Sequence, residues 1–318
     1  MLVACSELQP SVTPLRGTLS DTRRALDVAR GSWVSPEAKR EDLLYVSDQL
    51  FSEVYVFSYP GLDPVGTLTG FNLPEGICTD KRGDVFVTDL LARRVVEYEH
   101  GGSEPIRTLD DGGYPQGCSV DPSTGDLAVA DYGSSGSPGE IAVFHKARGA
   151  PALYRDATMI SFANCGYDGS GNLFADGQKY GNDPGLAELP LHAGKLRDLD
   201  LGRDFDGEGS VQWDGRHVAI MGNSPKRIYR LAIVGSKAKI VGHTTITPPK
   251  YSLSFWIRGN RLILTYIPPH SRDTALAIWS YPDGGAPRKG IRPLVGVYGL
   301  AISVARQHRR GGNRRRSI

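Results

Sequence analysis

One phrase recurs along this chain: an apolar strand, an Asp, a Gly turn, a second apolar strand and another Asp. It reads PEGICTDKRGDVFVTD at 74–89, PQGCSVDPSTGDLAVAD at 115–131 and ANCGYDGSGNLFAD at 163–176. Looser copies read EGSVQWDGRHVAIM at 208–221 and SLSFWIRGNRLILTY at 252–266. The equivalent anchors Gly76, Gly117, Cys165, Gly209, Leu253 and Gly299 lie 41, 48, 44, 44 and 46 residues apart. A unit of this size cannot bury a core alone and must stack on its neighbours.

Each copy runs on into a third strand with period-two patterning, such as Glu53-Val54-Tyr55-Val56-Phe57 or Arg94-Val95-Val96-Glu97-Tyr98. A short fourth strand follows, as at Pro105-Ile106-Arg107-Thr108-Leu109. Four strands per roughly 45 residues is the unit of a β-propeller blade. The ends of the chain supply the blade count. Residues 43–48 match a second strand with no first strand before it, and residues 297–303 match a first strand with nothing after it but a tail. The expected fold is all-β: a six-bladed propeller over 43–305. Its last blade is closed by N-terminal strands plus a C-terminal inner strand, which removes exposed edges.

The phrases at Pro74-Glu75-Gly76-Ile77 and Pro115-Gln116-Gly117-Cys118, with their Asp-turn-Gly steps, resemble the NHL-repeat type of six-bladed propeller. The whole chain is similar to uncharacterised secreted bacterial propellers, a likeness that implies a fold and no activity. The residues just before the anchors, Glu75, Gln116, Asn164, Glu208, Ser252 and Tyr298, are expected to line the channel mouth. Four of the six offer carboxylate or carboxamide oxygens, which suit Ca²⁺ or another divalent cation. This arrangement resembles the gluconolactonase and senescence-marker family, in which a Glu and Asn/Asp residues hold a metal that polarises a lactone. The resemblance implies Glu75 as the first-blade Glu ligand and Asn164 as an Asn ligand, and Glu208, by its place at the mouth, completes the expected metal set. The chain lacks that family's Asn-Asp-led stretch and a matching Asp before Gly209.

Loops that break the repeat, at 131–139, 176–185 and 266–274, are expected on the channel-mouth face beside 48–52 and 90–93. Tyr132, Lys179, Tyr180 and His270, with Gln116, are the expected ligand-binding residues there. The strand-end residues Asp48, Asp89, Asp131 and Asp176 recur with the repeat and are expected to bond turn amides. Cys118 and Cys165 fall at equivalent places in neighbouring inner strands, and Cys78 is one residue out of phase. Packing as small buried hydrophobes is expected of them; a Cys118–Cys165 bridge would need Cα atoms within about 7 Å.

Charge and flanks bound the partners. Six of the 37 basic residues fall in 306–318, leaving 31 against 35 acidic ones in the rest. The body is therefore mildly acidic, no nucleic-acid partner is expected, and the Arg-rich end reads as a disordered tail. Residues 1–42 read as a truncated signal and flexible linker. Leu2-Val3-Ala4-Cys5 resembles a bacterial lipobox, which implies lipidation at Cys5, an upstream start and an extracytoplasmic, cell-envelope or secreted location. No GxSxG elbow, HExxH pair or P-loop is present. The function expected is a non-enzymatic, monomeric propeller that binds a protein, peptide or carbohydrate through its channel-mouth loops. The alternative is a metal-dependent lactonase- or esterase-like hydrolase, and a distant third is a propeller lyase, by fold analogy alone.

Overall fold

The computed structural model describes residues 31–134, 137–202, 209–223, 226–247 and 250–306. Six antiparallel sheets form the ring that the repeat demands. Blades one to five run from Pro74 to Asp110, Pro115 to Tyr154, Met159 to Asp198, Val211 to Thr245 and Tyr251 to Leu294. The sixth is composite. Its inner strand Val297–Ser303 pairs with Leu43–Asp48, followed by Glu53–Ser58 and Pro64–Leu68. The closing register runs from Leu43 opposite Ser303 to Asp48 opposite Val297.

The second strands explain themselves through this geometry. Leu43-Leu44-Tyr45-Val46 is apolar without alternation because a blade is covered on both faces. Leu43 and Tyr45 pack with Ile77, Val85 and Val87 of blade one, while Leu44 and Val46 pack with Ile263, Leu276 and Ile278 of blade five. The apolar interior is thus divided into six clusters, each between two neighbouring blades. The anchor glycines have a matching cause. A Cβ on Gly76 would lie 2.5 Å from the Gln116 carbonyl oxygen, and one on Gly117 would lie 2.7 Å from that of Ala163. Only glycine lets the inner strands approach this closely.

Part of the expected linker belongs to the body. Trp33–Val34 adds a fifth strand to the composite blade, pairing with Thr67 and Gly66, and a short 3₁₀ turn at Pro36–Arg40 buries Ala38. Residues 1–30 and 307–318, and with them Cys5 and most of the basic tail, lie outside the described residues.

The cysteines depart from expectation. Cys78 and Cys118 form a disulfide with Cα atoms 5.7 Å apart, and Cys165 is free and buried. Side-chain parity is the reason. Equivalent residues of successive inner strands point the same way round the ring. Cys118 points back to blade one, where its sulfur approaches the Phe86 carbonyl, and Cys165 points back to blade two, towards Ala128. Cys118 and Cys165 therefore never face each other. Cys78, one residue out of phase, points forward and meets Cys118. The bond staples the two inner strands across a sequence separation of 40. Closing a loop of that size is worth about 4 kcal/mol in the chain-entropy account. We predict that Cys78→Ser with Cys118→Ser lowers the free energy of urea unfolding under non-reducing conditions by up to about that amount. Non-reducing peptide mapping should recover Cys78 joined to Cys118, with Cys165 alkylated only after unfolding; an unchanged midpoint and free Cys78 would contradict the assignment.

Candidate functional site

The first strand of a blade enters at the channel mouth, so the loops into first strands share a face with those joining second to third strands. The second-to-third connections at 49–52, 90–93, 132–140, 180–183 and 268–273 all lie on this face. The connection after Leu173–Lys179 is shorter than expected, because that strand continues past Asp176 and pairs as far as Gln178 with Pro184.

A β-bulge marks each inner strand near the mouth, except in blade four. It re-aims the backbone and sets up a clamp. The hydroxyls of Ser47, Thr88 and Thr265 accept hydrogen bonds from Gly299, Gly76 and Ser254 in their own blades. They donate to the Glu75, Gln116 and Tyr298 carbonyls of the next blade. Bulging also breaks the expected ring of oxygen donors. The extra residue is Gln116 in blade two, Ala163 in blade three and Leu253 in blade five. Asn164 and Ser252 are therefore one residue away from the position Gln116 occupies. Asn164 sits beside Gly117 instead and lines the channel. Glu208 lies outside the described residues.

Glu75 is nearly fully buried, with Oε2 unpartnered. Burial pushes its carboxyl up to about 7, offset in part by a hydrogen bond from Gln49. Gln116 Oε1 beside it is also unpartnered. Below them the channel holds a cavity of about 250 Å³, lined among others by Asn164, Tyr167, Gln212, Trp213 and Trp256. Its polar groups mostly stitch neighbouring blades: Gln212 bonds both backbone groups of Ile257, and the hydroxyls of Ser210 and Ser254 lie 2.8 Å apart. Among the described residues, no three His, Cys, Asp or Glu side chains are grouped to hold a metal ion.

The rim is where exposed apolar surface gathers. Eleven large hydrophobic side chains are exposed among the described residues. Six of them, Leu50, Leu91, Tyr132, Ile160, Tyr180 and Tyr251, stand on the channel-mouth face, whereas two stand on the opposite face and three on outer strands. Five of those six follow one another around the composite blade and blades one to three. Between blades two and three a recess of about 200 Å³ is lined by Tyr132, Gly133, Ser134, Ile160, Ser161 and Gln178. Tyr132 and Tyr180, 42% and 59% exposed, thus belong to one arc. Lys179 is held in an ion pair with Asp198 at 2.8 Å. His270 is exposed on blade five, across the ring from Tyr132. Leu50, Leu91 and Ile160 are not among the expected residues; each stands next to another apolar residue, Phe51, Leu90 and Met159, so nothing in the sequence marks it as the exposed one.

The strand-end acids do bond turn amides. Asp48 accepts from Leu50 and Phe51, Asp89 from Asn72, and Asp176 from Asn164 and Gly209. Asp131 differs. It is buried against Asp111, with Glu140 and Asp110 adding negative charge. Burial first, then the facing carboxylate, holds Asp131 far above the usual carboxylate range; burial does the same to Asp111. The Gly113 and Tyr114 amides offset only part of this.

No family model matches the chain, and no curated protein matches its sequence. Its fold is similar to a chain in the crystal structure of a nidogen/laminin complex, with a TM-score of 0.66 at 13% identity over 83% of this chain and 99% of that one. It is also similar to a protein of unknown function from Bacteroides caccae, with a TM-score of 0.61 at 11% identity over the same shares. At such identity the likeness shows the propeller fold alone.

The acid pair makes a prediction with a definite sign. A carboxyl raised above its unfolded value of about 3.9 binds more protons in the folded state, so stability falls as pH rises through and beyond that value. Asp131→Asn keeps the shape and removes the charge. In urea unfolding with chelator, the variant should be more stable than wild type at pH 8, by on the order of 1 kcal/mol or more, and the gap should close towards pH 4. A wild type more stable than the variant at pH 8 would contradict the pairing.

Proposed function

We propose that this protein is a non-enzymatic binding propeller that engages a protein partner through its channel-mouth face. The observation that carries the proposal is the arc Leu50, Leu91, Tyr132, Ile160 and Tyr180, exposed on consecutive blades, with a small recess lined by Tyr132 and Ile160. Exposed apolar side chains gathered on one face mark interaction surfaces, and aromatic side chains beside a pocket are the usual anchors. A propeller suits this use because rigid sheets hold the loops in place. One structure of similar fold was solved as a nidogen/laminin complex. The Cys78–Cys118 bond agrees with an extracytoplasmic setting, where disulfides persist. A lipid anchor at Cys5 is part of the same proposal.

A second proposal, hydrolysis of a lactone or ester at the channel mouth, is supported by Glu75 alone. A buried carboxyl near neutrality is suited to proton transfer.

The test is a pull-down and peptide or glycan array with wild type against Tyr132→Ala with Tyr180→Ala. Binding to a protein or peptide should fall at least tenfold in the double variant, as expected when two aromatic anchors are removed. Equal signals from both would remove the rim from consideration, and lactone or ester turnover lost in Glu75→Gln would favour the second proposal.

A further inference from the structure

Blade one carries a cation at a place where the composite blade and blade two carry Glu, Glu53 opposite Asp48 and Glu140 beside Asp131. In blade one the strand-end Asp89 is neutralised: Arg94 stands opposite it, bonds its carboxylate at 3.0 Å and reaches across to the Gly70 carbonyl at 2.7 Å. Blade two keeps the acid and loses the cation. Asp131 takes the place of Asp89, and Glu140 takes the place of Arg94, since Asp131 follows Ala130, which pairs with Ile141. Asp111 takes the place of Gly70, each lying four residues before the proline that opens the next first strand. Where blade one carries a guanidinium between an acid and a carbonyl, blade two carries three acids. Glu140 is engaged by Arg155 at 2.6 Å. Asp131 and Asp111 are only 2% and 6% exposed and face each other beside the Gly113 and Tyr114 amides, and among the described residues no cationic side chain forms an ion pair with either.

Two facing, desolvated carboxyl groups cannot both ionise unless a positive charge joins them. We propose that Asp111 and Asp131 hold a hard divalent cation, Ca²⁺ in the first instance, at the position Arg94 fills in blade one. All the side-chain donors are oxygens, which excludes a preference for soft metals. Two carboxylates supply part of the shell, and backbone oxygens and water supply the rest, as flexible Ca²⁺ sites allow. Gly112, at the turn beside Asp111, has open space where a side chain would stand. The ion would replace the proton that the pair otherwise shares, so its binding releases a proton and weakens as pH falls. Asp131 runs directly into Tyr132 and Gly133, so the bound ion would also fix the rim loop of blade two. The site is separate from the channel mouth at Glu75 and does not depend on the identity of the partner.

The full chain, stripped with chelator, is titrated with CaCl₂ and then MgCl₂ by calorimetry at pH 8 and pH 5, with thermal unfolding alongside. We expect one Ca²⁺ per chain, a raised unfolding midpoint at pH 8, and affinity lower by about tenfold or more at pH 5. Asp131→Asn and Asp111→Asn should each abolish binding while keeping the wild-type circular dichroism spectrum, and Glu75→Gln should bind as wild type does. Absence of saturable binding at pH 8, unaltered binding in Asp131→Asn, or loss of binding in Glu75→Gln alone would each overturn the assignment.

Discussion

Pairing of Val297–Ser303 with Leu43–Asp48 is the interaction on which the rest of this structure depends. It joins segments some 250 residues apart and turns a row of blades into a ring. The two clusters flanking it fill from both sides at once, because alternate residues of Leu43-Leu44-Tyr45-Val46 feed blade one and blade five. Asp42 fastens the seam further. Its carboxylate accepts from the Ala305 amide and from Arg258, each at 3.0 Å. His100 of blade one bonds Ser303 through Nδ1 and the Glu41 carbonyl through Nε2. A ring sealed in this way has no open inner edge, and its loops sit on a closed frame of packed blades.

The frame explains why polarity inside the channel is mostly structural. Glycines bring the inner strands into contact, hydroxyls at Ser47, Thr88 and Thr265 bridge them, and Gln212, Ser210 and Ser254 continue the stitching below. Polar side chains spent on neighbouring backbones are not free for a ligand. Among the groups left over are Glu75 and Gln116 at the mouth, and the Asp111–Asp131 pair at the rim has no cation against it. Exposed apolar side chains gather on the same face, which is where a binding function is most economically built.

Much of this was legible in the residues alone. The Asp-Gly punctuation, the period-two third strands and the orphaned half-phrases at either end fix six blades and their closure. Four things were not legible. A bulge shifts register by one residue without leaving a mark, so Asn164 and Ser252 aligned by phrase do not share the position of Gln116. The disulfide depends on parity round a ring, which favours the out-of-phase Cys78 over the matched Cys165. Residues 33–40 carry no β pattern, yet Trp33–Val34 finds an open edge beside Gly66 and Thr67. The rim hydrophobics Leu50 and Leu91 look like ordinary turn residues until their exposure is known. One signal was present and unused: Glu140 stands where blade one places Arg94, as Glu53 does opposite Asp48 in the composite blade.

The closing seam is tested most directly by native-state amide hydrogen exchange followed by mass spectrometry. Peptides covering Leu43–Asp48 and Val297–Ser303 should exchange only with global unfolding, at the rate of Val85–Asp89 in the continuous blade one. Exchange of the two seam segments within seconds, while Val85–Asp89 stays protected, would show that the ring is not closed there.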